Sequence, residues 1–505
     1  MNKKNEIKAG VVLSYLLLVI NTVYGLLIAP YILKYVGVDN YGVYKTIAAL
    51  SASLAVLDLG LGSTLTRYMA KYNATGDKNG ASNFVAMIFI QFAIIAFAIL
   101  CIGAVFFFGI DSMYGKTFSS SELKLAKQLM VFLLLNMVLR LFENLLSGIA
   151  SGHECFTAAN GVKVLSVVVK FSLILVLLPI VNNILLVVML ETVVVTAGIV
   201  FFYIYTVKHI GIVPKLTKWN KEEFKESFGY TALMFIQTLT TQFNGNVDNI
   251  LIGSMVGAAS VTVYSMSLTI FGMYENLSGS IANLMLPRVT KKVVAGDSPE
   301  QLQKSVEKAG RWQFVLLAAA LGGFIVLGKD FYMLWLGKEF LDCYYLTLIL
   351  IVPVTVPMMQ NVCLSVLRAQ NRMLYRTVTL GISCVINVGL TIIGIKLFGY
   401  WGAAIGTAGA TLSNILFMNF YYKKKLGFGI FRMFKNIIGK TAICACIAAG
   451  VTYAAHLLLY GTWVSFIANA AVFMVVYLAM LFVIGISKSE REGVLIKLHL
   501  KRGKE

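Results

Sequence analysis

The residues best suited to binding chemistry in this chain are polar side chains set inside long apolar stretches. One stripe recurs at intervals of four, four and three residues, the spacing of one helix face, and consists of Asn136, Arg140, Asn144 and Ser147. Glu143 lies one turn from Arg140 and can pair with it. Because an ionised side chain at mid-membrane costs roughly 2.5 to 3.5 kcal/mol, the stripe is expected to face protein or a watery cavity.

Two further stripes resemble the first. One contains Gln237, Thr241, Asn244 and Asp248, and the other contains Gln360, Asn361, Ser365 and Arg368. The alternative is that these side chains join helices by hydrogen bonds worth about 0.6 kcal/mol each, or snorkel, and this is our interpretation of the isolated residues Lys170, Asn387 and Asn414. Stripes on three separate segments instead favour a shared hydrophilic cavity.

Charged residues near these stripes are candidates for two further roles. Carboxylates held in a low-dielectric site bind cations, and the candidates for ion coupling are Asp58, Glu143, Glu191, Asp248 and Glu275. For Glu191 and Glu275, a partner on a neighbouring helix or a place near a helix end is an equal alternative. Three arginines near apolar-segment ends are candidates for binding phosphate or for anchoring the segments, namely Arg67, Arg288 and Arg368.

Composition shows which elements must carry these residues. Of 505 residues, 58% are hydrophobic and 13% are charged, and the mean hydropathy is +0.80. A soluble protein of this length does not bury so much apolar surface, whereas helices in a lipid bilayer pair every backbone amide internally. The sequence therefore predicts an all-α integral membrane protein with about 14 spans. It excludes a secreted disulfide scaffold, a disordered chain and a DNA-binding domain.

The net charge of +20 is explained by membrane topology. With the N-terminus inside, about four Lys or Arg fall on inner segments for each one on outer segments. Both termini are therefore predicted to be cytoplasmic. The inner bases attract anionic lipids at roughly 1 kcal/mol each, so nucleic acid is not needed as a partner.

The chain also carries an internal repeat. A shift of 220 residues aligns 24–80 with 244–300 and pairs identical residues in an outer turn and an inner loop, including Gly37 with Gly257 and Gly76 with Gly296. Two parallel repeats of six spans predict two pseudo-symmetric lobes. The predicted domains are an N-lobe at 1–207, a cytoplasmic linker at 208–225, a C-lobe at 226–425, and two appended spans with a basic cytoplasmic tail at 426–505.

Signatures of enzymes and cofactors do not occur. Gly439-Lys440-Thr441 has Phe434 where a nucleotide-binding loop requires glycine, and the four histidines and seven cysteines are scattered without metal-ligand spacing. Extramembrane segments are short, which leaves little room for a catalytic domain. We therefore expect no catalytic residues, no metal and no cofactor other than a coupling ion, H⁺ or Na⁺.

Residues 28–67 resemble the polysaccharide-biosynthesis flippases of the multidrug/oligosaccharidyl-lipid/polysaccharide exporter superfamily. The resemblance rests on Pro30, the Gly37–Tyr44 turn, the run from Asp58 through Gly60 to Gly62, and Arg67. A second stretch matches that family's second lobe, with Leu364–Gln370, Asn387 and Gly402–Gly406. Fourteen spans arranged as six, six and two also fit, with a MATE-like fold implied.

This resemblance implies a flippase that moves an undecaprenyl-pyrophosphate-linked oligosaccharide from the cytoplasmic to the outer leaflet of a bacterial plasma membrane, by cation-coupled alternating access. It implies that arginines, chiefly Arg140, bind the pyrophosphate, and that Asn and Gln side chains bind sugar hydroxyls. The implied partners are the lipid-linked glycan, membrane lipids, the polymerase and the chain-length machinery. The cargo stays open among O-antigen of lipopolysaccharide, capsule, exopolysaccharide and teichoic types.

Two other functions remain as alternatives. A cation-coupled multidrug exporter of the same superfamily would have a cavity dominated by unpaired carboxylates, whereas arginines in that space favour the flippase. A membrane-embedded glycosyltransferase or polymerase would require a sizeable outer loop with catalytic residues.

Overall fold

The computed structural model describes residues 3–54, 61–217, 219, 221, 242, 245–370 and 372–485. Within these ranges the side chains of residues 3, 4, 7, 61–64 and 279–288 are not described. The described chain is helical throughout its regular structure and contains no strand, which confirms the all-α prediction.

Seven long helices precede residue 210. They are α1 (Lys3–Val36), α2 (Val38–Leu54), α3 (Leu61–Thr75), α4 (Lys78–Tyr114), α5 (Ser120–Gly152), α6 (Phe156–Val181) and α7 (Ile184–Tyr205), the last continued by a π-helical turn at Thr206–Ile210. After a helical segment at 245–255 come α8 (Ala258–Val294), α9 (Pro299–Trp335), a 3₁₀ turn (Lys338–Phe340), α10 (Asp342–Met359), α11 (Asn361–Ala369), α12 (Leu374–Phe398), α13 (Tyr400–Leu426), α14 (Ile430–His456) and α15 (Trp463–Met480), followed by a π-helical turn at Leu481–Gly485.

Ten helical stretches among the described residues are long and apolar enough to cross a membrane. Helices α8 and α13 cover the apolar stretches 261–286 and 401–422, which we predict as the eighth and twelfth spans, but their Gly, Ser, Thr and Asn content lowers their hydropathy. The predicted seventh span, 229–253, lies largely outside the described residues. The count of fourteen therefore stays a prediction.

Turns between helices are short and are defined by local chemistry. Helix α5 begins with a capping box in which the Ser119 side chain and Glu122 satisfy each other's backbone amides. Helix α9 begins in the same way at Ser298 and Gln301, with Pro299 in the first turn. These caps satisfy amides that a helix start leaves without intrahelical partners.

The internal repeat is visible in the backbone. Gly37 and Gly257 both have positive φ angles, +85° and +130°, and each directly precedes a helix. Gly76 and Gly296 also match, with φ angles of +70° and +77°. Only glycine adopts this region without steric cost, so the paired glycines reflect a conformational requirement of both turns.

The first compact unit comprises Met1–Ser265. Its last part, 245–265, packs on the first helices of the unit: the Thr262 hydroxyl donates to the Val38 carbonyl over 2.6 Å, and Gly42 lies directly against the Ala258 backbone. This packing places the unit boundary later in the chain than the predicted lobe boundary at 225/226. The predicted lobe division itself stays a prediction.

The second compact unit comprises Met266–Glu505. Helices α12 and α13 approach closely through glycines, since a Cβ on Gly402 would lie 1.9 Å from the Gly394 carbonyl carbon. Helices α14 and α15 pack on α9, where the Tyr477 hydroxyl donates to the Val315 carbonyl over 2.7 Å. The last two helices therefore belong to the core of this unit.

Candidate functional site

The site in the first unit is built around Arg140 on α5. Its Nε donates to Glu191 Oε1 on α7 over 3.0 Å, and its Nη2 donates to the same oxygen. The guanidinium therefore uses two of its five N–H groups on one carboxylate oxygen. The ion pair that Arg140 could form with Glu143 is replaced by this pair between helices.

A second cation shares the carboxylate. Lys170 on α6 places its Nζ 3.5 Å from Glu191 Oε2, and the same Nζ lies 5.0 Å from the centre of the Tyr24 ring on α1. Four helices thus contribute to one group of side chains. We call Arg140, Lys170, Glu191 and Tyr24 the Arg140 cluster.

The Arg140 cluster has two cations for one anion and so carries a net charge of +1 when all three are ionised. The side chain of Arg140 is 49% exposed, whereas those of Glu191 and Lys170 are 24% and 16% exposed. Lys170 and Glu191 are thus held inside the bundle while Arg140 reaches its edge. An exposed guanidinium with unused N–H groups is suited to bind a phosphate or a carboxylate.

Helices α5 and α7 also contact each other at two further points. The buried Asn136 amide donates to the Val188 carbonyl over 3.0 Å, one turn before the Arg140 pair. The buried Glu143 carboxylate lies beside Gly198, where an added Cβ would come within 2.7 Å of Glu143 Oε1. Gly198 therefore provides the space that the carboxylate occupies.

The predicted stripe on α5 divides into two parts. Arg140 and Asn144 are exposed, whereas Asn136 and Ser147 are buried. A straight helix has 3.6 residues per turn, so intervals of four drift around the helix, and the neighbours α6 and α7 decide which residues stay open. Asn144 remains a candidate for contact with a polar ligand.

In the second unit, the stripe near residue 360 falls at a break between two helices. Helix α10 contains Pro353 and Pro357 and ends at Met359, and α11 begins at Asn361. The buried Gln360 donates to Asn419 Oδ1 over 2.8 Å, and Asn361 donates to Ser278 Oγ over 2.9 Å. Both side chains join helices in the structure, as the alternative interpretation of the stripes expects.

The isolated polar residues also join helices. Asn387 accepts hydrogen bonds from Thr391 and Thr407, and Asn414 donates to Ser383. Lys170 pairs with Glu191 as described. Each of these residues, and Glu191 with them, therefore has a partner on a neighbouring helix.

The remaining predicted site residues are dispersed. Arg67 on α3 and Arg368 on α11 are exposed, and Glu275 on α8 is half-buried. The buried Asp248 accepts a 2.5 Å hydrogen bond from the Tyr264 hydroxyl. Outside the described residues, or with only their backbone described, lie Asp58, Gln237, Asn244 and Arg288.

The sequence analysis did not place Lys170 or Tyr24 in a binding site, and it gave Glu191 only as a candidate for ion coupling. The available signal was that Arg140, Lys170 and Glu191 are charged residues inside three consecutive predicted spans, 127–150, 161–180 and 184–207. Within the described part of the chain, no group of three or more His, Cys, Asp or Glu residues is arranged to hold a metal ion.

The fold is similar to those of two solved multi-helix membrane proteins. It is similar to that of the lipid II flippase MurJ in an inward closed conformation, with a TM-score of 0.71, 14% identity, and coverage of 97% of this chain and 99% of the other. It is also similar to an inward-facing multidrug resistance MATE family transporter, with a TM-score of 0.63, 17% identity, and coverage of 80% and 94%. These comparisons confirm the MATE-like fold.

The chain belongs to the family of polysaccharide biosynthesis proteins, whose model matches residues 7–292. It is 23% identical over 501 residues to the uncharacterized membrane protein EpsK of Bacillus subtilis (strain 168), with 94% of each chain covered. The family confirms the resemblance seen in the residue 28–67 segment.

Proposed function

We propose that this protein is a flippase that moves an undecaprenyl-pyrophosphate-linked oligosaccharide from the cytoplasmic to the outer leaflet of a bacterial plasma membrane. The observation that supports this most is the net positive Arg140 cluster, in which a half-exposed guanidinium stands beside a lysine inside an apolar bundle. A pyrophosphate is the part of such a substrate that two adjacent cations would bind.

The need for such a site follows from the cost of crossing the membrane. A pyrophosphate with several sugars does not cross roughly 30 Å of hydrocarbon unaided, because unpaired charge and hydroxyl groups lose their hydration there. Cations and amides on membrane helices replace that hydration. Asn144, one turn from Arg140 and exposed, is placed to bind a sugar hydroxyl or a phosphate oxygen.

The charge of the cluster distinguishes this proposal from a multidrug exporter. Cationic drugs would be expected to bind unpaired carboxylates, whereas the carboxylate beside Arg140, that of Glu191, contacts two cations. The described connections between helices are also short, as at Gly115–Ser119 and Asn182–Asn183, and give no room for a transferase domain there. Both features favour translocation of an anionic lipid-linked substrate.

Movement against a gradient requires an energy source, and we propose a coupled cation, H⁺ or Na⁺. Among the carboxylates proposed for coupling, Glu143 is buried and Glu275 is half-buried and forms no ion pair with a described residue. Asp58 is the third candidate. Asp58→Asn is expected to change the ion dependence of transport in proteoliposomes, and unchanged dependence would remove Asp58 from coupling.

The proposal is tested by surface glycan export in cells. Arg140→Ala is expected to abolish export. Arg140→Lys is expected to retain part of it, because lysine keeps the positive charge but lacks the bidentate hydrogen bonding of a guanidinium. Lys127→Ala is the matched control, since Lys127 is a cation on the same helix that pairs with Asp111 at 2.6 Å outside the cluster. Export at the wild-type level in Arg140→Ala cells would contradict the proposal.

The cargo is identified by genetic context. A neighbouring cluster of sugar transferases and a polymerase would define the class of glycan, and those proteins are the proposed partners. Loss of that glycan alone in a deletion strain is the expected phenotype.

A further inference from the structure

We propose that Glu191 is a built-in competitor of the substrate: it occupies Arg140 and Lys170 when the site is empty and must leave them when a lipid-linked pyrophosphate binds. This inference rests on the proposed function and adds the means by which the bound headgroup is released. It assigns to Glu191 a positioning role that acts through the two cations.

The geometry shows that the two anions cannot share the cations fully. Glu191 Oε1 accepts from two N–H groups of Arg140, and Oε2 lies 3.5 Å from the Lys170 ammonium. A phosphate that used the same side of the guanidinium would meet the same donors. A second anion placed there would also stand within a few ångströms of the Glu191 carboxylate, and like charges at that distance repel.

The three charged side chains of the Arg140 cluster differ in how far they can move when a ligand binds. Arg140 is half-exposed and can turn its long side chain toward a ligand, whereas Lys170 is largely enclosed and stacked beside Tyr24. Glu191 retains 24% exposure, which leaves room for its carboxylate to move off the cations. Loading therefore replaces the Glu191 carboxylate by the pyrophosphate on the same two cations.

This exchange has a consequence for turnover. A site with two permanently available cations would bind pyrophosphate tightly before and after translocation, and uniform tight binding does not speed a transport cycle. A tethered carboxylate lowers the affinity and replaces the departing headgroup. Glu191 is thus expected to weaken binding and to speed release.

The test measures binding of farnesyl pyrophosphate to the purified full-length protein in detergent, by isothermal titration calorimetry. Glu191→Gln keeps the size of the side chain and removes its charge, and we expect it to tighten binding at least tenfold. Glu191→Asp retains the charge but reaches less far, so an intermediate tightening of two- to fivefold is expected. Asp111→Asn is the matched control, a carboxylate on α4 that pairs with Lys127 outside the cluster, with affinity unchanged within twofold.

Two further arms separate this inference from the proposed function. Arg140→Ala and Lys170→Met are expected to weaken binding at least tenfold, and farnesol, which lacks the pyrophosphate, is expected to bind equally to every variant. If both cation variants bind farnesyl pyrophosphate as the wild type does, the proposed anion site is wrong.

If the cation variants lose binding while Glu191→Gln binds no more tightly than the wild type, the site stands and the competitor role is wrong. In transport assays, Glu191→Gln is expected to lower both KM and kcat. A purely structural role for Glu191 would raise KM, since Arg140 would lose its support.

Discussion

The close approach of α2 to the start of α8 predicts that Gly42→Ala destabilises the protein. A Cβ at this position would stand 1.8 Å from the Ala258 carbonyl oxygen and 2.4 Å from its carbonyl carbon. Ordinary contact begins near 3.4 Å, so the two backbones must separate by about 1.6 Å. Since the obstacle is backbone and cannot rotate away, we expect the upper part of the overpacking range, about 2 to 3 kcal/mol.

The higher helix propensity of alanine partly offsets the overpacking cost. Its contribution to the unfolding free energy must therefore be measured separately. Replacing a helical glycine by alanine stabilises a helix by about 1 kcal/mol. Gly109→Ala on α4 measures the gain in helix propensity alone, because no atom lies within 4 Å of its added Cβ. The difference in unfolding free energy between the two alanine variants should therefore be about 2 to 3 kcal/mol, with Gly42→Ala the less stable.

The assay is reversible unfolding of the purified protein in mixed micelles of increasing dodecyl sulfate content, followed by tryptophan fluorescence. Thr262→Val gives an independent measure of the same contact, because it removes the 2.6 Å hydrogen bond to the Val38 carbonyl while keeping the shape of the side chain. Its expected cost is about 1 kcal/mol. Equal stabilities of the Gly42→Ala and Gly109→Ala variants, within 0.5 kcal/mol, would show that α2 and Ala258 do not touch.

Three further variants test other parts of the structure by the same unfolding assay. Gly257→Ala forces alanine to a φ of +130° and is expected to cost at least about 1 to 2 kcal/mol, so wild-type stability would contradict the turn geometry. Tyr264→Phe removes the 2.5 Å donor to the buried Asp248 and should cost about 1.5 to 3 kcal/mol, with a neutral result excluding this hydrogen bond. Gln313→Leu should cost no more than about 1 kcal/mol, because Nε2 donates to the Ser278 carbonyl over 3.3 Å while the buried Oε1 lacks a partner among the described residues, and a larger loss would indicate a bound water or ion at Oε1.

The fold class followed from the sequence because its determinants are local. Long apolar stretches with few charges form membrane helices wherever they occur, and the turn glycines repeat because both turns need a positive φ angle. The capping residues Ser119 and Ser298 mark helix starts by a hydrogen bond that spans three residues. Helices α8 and α13 were also predicted from apolar stretches, although their Gly, Ser, Thr and Asn content keeps their hydropathy low.

The candidate site was predicted only in part. Arg140 and Asn144 were recognised as polar residues on one helix face, and both are exposed. Asn136 belongs to the same stripe but is buried against Val188, because small rotations of a helix exchange exposed for buried positions. Spacing along one helix does not determine that rotation.

By itself, the sequence determined that this chain is a helical membrane protein with a repeated turn and with polar residues at mid-span. The tertiary structure decided that Arg140 pairs with Glu191 on α7 instead of Glu143 on its own helix, and that Lys170 shares the carboxylate. The physical reason is that hydropathy and capping act over a few residues. The partner of a charge depends on which helices pack side by side and at what depth, and those contacts join residues far apart in the chain.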